Sequence, residues 1–133
     1  MAENKIEVSF PGNLKVAAEY KGHRVVTDQP VYAGGEGSAP GPFDLFLISI
    51  ATCAGYYFLA FCQERKIPTA AARLTMSLEK NPATRMISRI TIDLYLPPDF
   101  PEKYKAAVKR AIDTCTVKAH ILNPPEFEIR LLA

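Results

Sequence analysis

The run from Leu45 to Cys62, LFLISIATCAGYYFLAFC, constrains the fold more than any other stretch of this chain, because it carries no charge on any face. A helix that is apolar all round has to be enclosed all round. The run also holds a thiol, Cys53, near its middle. At about eighteen residues it reaches the lower bound for a membrane span. Ser49, Thr52, Gly55, Tyr56 and Tyr57 dilute it, however, and amphipathic segments flank it on both sides. No basic cluster marks one end: Asp44 precedes the run, and Glu64, Arg65 and Lys66 follow it. A buried helix in a water-soluble protein is the expectation, with no membrane partner.

The 133 residues suffice for one domain, residues 1–133, built on one core. A net charge of +2, with acids and bases interspersed, leaves no basic footprint for nucleic acid. The N-terminal MAENKIEVSF has no basic stretch leading into an apolar one, so no secretory signal is expected. Three cysteines without a CxxC pair do not suit a secreted disulfide framework, and the cytoplasm is the expected compartment.

Periodicity gives the order of elements. Residues 6–10, 14–20 and 23–27 read as three short strands joined by Pro11-Gly12-Asn13 and Lys21-Gly22. Residues 28–41 form a loop. Pro42, a favoured first-turn residue, starts a helix that runs to about Lys66, with Asp44 at its positive end and Pro68 beyond it. Residues 73–80 and 86–96 alternate as a hairpin through Asn81-Pro82. A second helix spans Glu102 to about Cys115, and a final strand is expected over Glu126–Leu132. The order βββ–α–ββ–α–β is an α+β pattern. A helix of this length runs about 35 Å. One small sheet covers only one side of it, so a two-fold homodimer with this helix near the axis is expected.

Cys53 and Cys62 are nine positions apart, on opposite faces and about 13.5 Å apart along the axis. They cannot bond to each other within one helix. Cys115 lies beyond the hairpin and can fold back onto Cys53. All three thiols also suit the role of small buried hydrophobes. Cys62 is expected to be one, and Cys53 and Cys115 remain open between the two roles. A mid-helix thiol gains little from the helix dipole. Activation of Cys53 would need cations from other segments, with Arg24, Lys118 and His120 as candidates. Arg24 also reads as a solvated hairpin arginine, and Lys118 and His120 as helix-capping residues.

The spacing GG-x-G-x-x-x-GP-x-D-L-x-L-x-S-x-x-x-C from Gly34 to Cys53 resembles the OsmC/Ohr family. So does C-T-V-K from Cys115 to Lys118, which is similar to that family's second cysteine motif, usually C-P-V-H. The helix tail from Tyr56 to Pro68 and the strand order agree, and the resemblance extends over essentially the whole chain. It implies an intertwined homodimer, with antiparallel sheets around long central helices and two active sites at the subunit interface. It also implies reduction of organic hydroperoxides. Cys53 would attack the peroxide, Cys115 would resolve the sulfenic acid as a disulfide, and Arg24 would support the thiolate. The implied reductant is a dithiol such as a dihydrolipoyl group. No cofactor is implied.

One departure stands out. The hydroperoxide reductases carry a glutamate ten residues before the first cysteine, and this chain has Phe43 there. Asp44 faces the other side of a regular helix and suits the helix N-terminus instead. In this respect the chain resembles the broader OsmC-like branch. The alternative function is a binding module that holds a small apolar or thiol ligand in the interface pocket near Cys53. A third reading is a structural dimer with inert cysteines.

Other motifs carry less. Gly35-x-Gly37 lacks the third glycine of a dinucleotide loop, since Pro40 stands there. Gly34–Gly37 spells the GxxG clamp of RNA-binding modules, but Glu36 inside it would repel phosphate. Cys53, Cys115, His23 and His120 lack paired ligand spacing, so no metal is expected. Tyr56, Tyr57, Phe58 and Phe61 read as core, or as the lining of a pocket above Cys53.

Overall fold

A computed structural model describes residues 4–132. The order is β1 (Glu7–Gly12), β2 (Lys15–Tyr20), β3 (His23–Thr27), α1 (Pro42–Glu64), β4 (Arg73–Lys80), β5 (Ile87–Tyr95), α2 (Lys105–Asp113) and α3 (Thr116–Leu122). The fold is mixed α+β, with small antiparallel sheets and helices. Packing divides the chain into two compact units, residues 1–48 and 49–133, with the boundary inside α1.

In the first unit β1, β2 and β3 form an antiparallel meander. The loop after β3 is organised by one carboxylate. Asp28 is fully buried. It accepts the backbone N–H of Gln29 (2.7 Å), Glu36 (3.3 Å) and Ser38 (3.1 Å), and the Ser38 hydroxyl at 2.6 Å. The Ser38 hydroxyl and these backbone donors, outweighing burial, hold its pKa at about 2. Gly35 has no room for a side chain: a Cβ there would lie 2.0 Å from the Gln29 carbonyl oxygen. The Lys15–Glu36 ion pair at 2.9 Å ties the loop to β2.

This loop delivers the chain to α1. Pro42 takes the first helical position, where its missing N–H costs nothing. Asp44 accepts the N–H of Gly41 at 2.9 Å, the backward reach of a capping box. The helix ends two residues earlier than expected. Ile67 N–H bonds Cys62 O (2.9 Å) and Lys66 N–H bonds Gln63 O (3.2 Å), with Lys66 left-handed at φ 56°. Those two bonds are a Schellman termination, which satisfies the last carbonyls and turns the chain away.

In the second unit β4 and β5 pair as an antiparallel hairpin from Arg73↔Tyr95 to Lys80↔Ile87. The core gathers Phe58, Phe61 and Cys62 of α1 with Phe100 and with Val108 of α2. Burying each phenylalanine or valine contributes roughly 1.5–3 kcal/mol. The Arg65 guanidinium carbon lies over Phe61, 3.6 Å from its ring centre.

Two sequence expectations are corrected. The second helix does not run unbroken from Glu102 to Cys115. A 3-10 turn over Glu102–Tyr104 leads into α2, which stops at Asp113, and a third helix, α3, follows. The Thr114 hydroxyl donates to Ala111 O at 2.6 Å, competing with the helical ladder where α2 ends. The final strand does not form: residues 124–132 make no ladder, and Phe127, Ile129 and Leu131 are 88–94% exposed. Alternation prepares a segment for a sheet, but a strand exists only beside another.

Candidate active site

All parts of the site described next belong to the second unit. Cys53 lies mid-way along α1 and is half-buried. Cys115 is buried at the junction of α2 and α3, in extended conformation (φ −48°, ψ 126°), as the N-cap residue of α3. Its carbonyl accepts the first helical bond, from Ala119 N–H at 3.0 Å. The break between α2 and α3 therefore turns the Cys115 thiol and the free N–H groups of the next turn toward α1.

The two thiols are joined by a hydrogen bond in which Cys115 donates to Cys53. Backbone N–H groups of Val117 and Thr116 also donate to the Cys53 sulfur. Burial pushes the Cys53 thiol up, but these three donors outweigh it and hold Cys53 below the usual thiol range. Cys115 goes the other way. Burial raises it, the hydrogen bond to Cys53 raises it further, and the N–H groups of Lys118 and Val117 offset only part of that. Cys53 is therefore the more acidic member of the pair.

The donors that lower Cys53 are a thiol and two backbone amides. Lys118 is ion-paired with Asp113. His120 Nδ1 lies 2.8 Å from the Thr116 carbonyl. Arg24 is on β3 in the other unit, half-exposed, with Nη1 3.5 Å from Glu19 Oε1. Cys62 is fully buried in the aromatic core, and burial raises its pKa against the pull of Arg65. Phe43, at the position of interest before Cys53, is stacked on Phe46 with centroids 5.4 Å apart.

Sequence reasoning missed the amides of Thr116 and Val117 and the hydroxyl pair Tyr57–Thr116, whose oxygens are 2.8 Å apart. The one available signal was Thr114-Cys115-Thr116, which combines residues that favour helix ends.

An apolar cavity of about 760 Å³ opens beside Cys115. Ile50 and Ala54 of α1, Ile92 and Leu94 of β5, and Val108 and Ile112 of α2 line it. Lys105, Lys109, Arg110 and Lys118 also border it, with Asp113 as the acid among them. A cavity of this kind suits a small, largely apolar ligand with one end at Cys115. No cluster of three metal-ligating side chains occurs among the described residues.

A family model described as OsmC-like protein matches residues 35–130. Three solved structures share the fold. An osmotic stress induced and detoxification response protein from Psychrobacter arcticus 273-4 is 22% identical, with TM-score 0.71, over 86% of this chain and 85% of that one. An OsmC-like protein from Mycoplasma pneumoniae is 12% identical, with TM-score 0.64, over 92% and 90%. An organic hydroperoxide resistance protein OsmC from Legionella pneumophila is 19% identical, with TM-score 0.54, over 91% of each chain. No curated protein sequence matches.

Proposed function

The chain belongs to the OsmC-like protein family, and from that premise we propose that it is a two-cysteine peroxidase acting on organic hydroperoxides. The observation that carries this reading is the asymmetric thiol pair, with Cys53 the more acidic thiol and Cys115 hydrogen-bonded to it. The Cys53 thiolate attacks the terminal peroxide oxygen, the O–O bond breaks, and the departing alkoxide takes a proton from water to leave as the alcohol. Cys53 becomes a sulfenic acid. The charge that held the Cys115 proton is then gone, so Cys115 ionises more readily. It attacks the Cys53 sulfur, the S–S bond forms, and the S–O bond breaks to release water. A small dithiol, of the lipoyl type, restores both thiols by exchange. The sum is hydroperoxide plus dithiol to alcohol, water and disulfide.

Arg24 is our candidate for electrostatic support of the peroxide step, since its pairing with Glu19 is long and solvent-exposed. The working unit in this proposal is a homodimer. Apolar side chains from several elements are exposed, among them Phe10 of β1, Tyr56 and Leu59 of α1, and Phe127 and Ile129 of the tail. Surface of this extent favours a partner. The proposed compartment is the cytoplasm, where free thiols persist.

The test is hydroperoxide consumption with a dithiol reductant. Cys53→Ser should abolish turnover, and one equivalent of cumene hydroperoxide should give a linked Cys53–Cys115 peptide by mass spectrometry. Wild-type turnover in Cys53→Ser would end this reading. Light scattering at micromolar concentration should give twice the chain mass.

One observation favours a second reading. Phe43 stacks on Phe46, so position 43 supplies no carboxylate, and the cavity beside Cys115 suits binding without turnover. A binding module would show no peroxide consumption, while an apolar probe in the cavity would still slow Cys115 alkylation.

A further inference from the structure

Tyr57 lies one helical turn after Cys53 on the same face of α1. Thr116 directly follows Cys115 and opens α3. Their hydroxyl oxygens are 2.8 Å apart. Two rungs thus cross from α1 to the start of α3, Cys53–Cys115 and Tyr57–Thr116.

The second rung has work to do because α3 is weakly held. It has seven residues, and no side chain caps its N-terminus. A helix this short is marginal without tertiary support. Yet the groups that meet the Cys53 sulfur, the Cys115 thiol and the N–H of Thr116 and Val117, all sit at this junction. We propose that Tyr57 and Thr116 are positioning residues, whose hydroxyl bond holds the α3 N-terminus on α1 so that the Cys115 thiol and the two amides stay aimed at Cys53. Neither touches a reacting atom through its side chain. The proposal rests on the two-thiol reading above and adds what keeps the pair in register.

The variants Tyr57→Phe and Thr116→Val each remove one hydroxyl and preserve shape. Two measurements read the effect, and neither requires peroxidase turnover. The first is the pH profile of Cys53 alkylation by iodoacetamide, followed by peptide mass spectrometry. The second is the rate at which the azodicarboxamide oxidant diamide closes the Cys53–Cys115 disulfide, two thiols being oxidised as one diamide is reduced to its hydrazine.

Both variants should move the Cys53 profile to higher pH and slow closure about three- to ten-fold, the span of one lost hydrogen bond. The double variant should be no worse than the weaker single one, because the two hydroxyls form one bond. Thr116→Ser keeps the hydroxyl and should behave as wild type. The charged neighbours stay the same throughout: Asp113 and Lys118 pair with each other, and His120 stays on the Thr116 carbonyl.

A Tyr57→Phe profile and closure rate that overlay wild type would overturn the inference. If Tyr57→Phe fails to fold, equal behaviour of Thr116→Val and Thr116→Ser would overturn it instead. Wild-type protein that closes the disulfide with diamide but consumes no hydroperoxide would defeat the peroxidase reading alone, and the positioning result would stand.

Discussion

Cys115 donates a hydrogen bond to Cys53, a contact that acts on the two thiols in opposite directions, lowering Cys53 and raising Cys115. The order of ionisation follows, because a thiolate at Cys53 disfavours a second one beside it. Burial raises both thiols, and the more deeply buried Cys115 lacks the net donor surplus that lowers Cys53.

Cys115→Ala should therefore move Cys53 alkylation to higher pH, since a donor to its thiolate is lost. With hydroperoxide, the variant should stop at a sulfenic acid that dimedone traps. An unmoved profile would mean that the amides of Thr116 and Val117 alone poise Cys53.

Cys62 should resist modification in the native protein. It is fully buried, and burial raises its pKa. A disulfide reagent such as DTNB at pH 8 should label Cys53 first and reach Cys62 only on unfolding. Labelling of Cys62 at a rate comparable to Cys53 would contradict the packing described for the aromatic core.

Asp28 should make the loop over residues 28–41 acid-sensitive. Its pKa falls from 3.8 to about 2 on folding, so the folded state favours the carboxylate. That contribution is complete above pH 3.8 and is lost as pH falls from there through about 2. Amide exchange at Glu36 and Ser38, corrected for intrinsic rates, should accelerate over that window and be fast at neutral pH in Asp28→Asn. Protection that is flat from pH 5 to pH 2 would remove Asp28 as the organiser.

Lys66→Gly should stabilise the protein by up to about 1 kcal/mol. Lys66 is left-handed at φ 56° in the Schellman turn, a conformation that glycine adopts without a Cβ clash. Thermal melting should shift upward by a few degrees. A lower melting temperature would show that the Lys66 stem contributes packing that outweighs the strain.

Elements governed by neighbours in sequence were legible from the residues alone. β3 and β4 fall at their expected bounds, and α1 begins at Pro42 as expected. Local signals suffice in these places: alternation for the strands, a proline and an acid for the first helical turn. The end of α1 was misjudged by two residues because the Schellman turn depends on Lys66 accepting a left-handed backbone. The break at Thr114 was hidden because an Ala/Val/Ile stripe continues across it, and periodicity does not report a side-chain bond to Ala111 O.

The candidate thiols themselves were also readable, since an uncharged helix with a central cysteine asks for a reason. Their meeting was not. Which atoms lie against Cys53 depends on where α2 stops and where α3 begins, and that break is marked by the Thr114 hydroxyl on Ala111 O. Sequence suggested cations as activators, because charge is visible in residue names. The tertiary structure supplied backbone N–H groups, which every non-proline residue carries and which matter only where a chain end leaves them free. The uncharged run from Leu45 to Cys62 determined that a long apolar helix would carry the thiol; only the folded chain decided which of its faces are covered and which donors share the charge of Cys53.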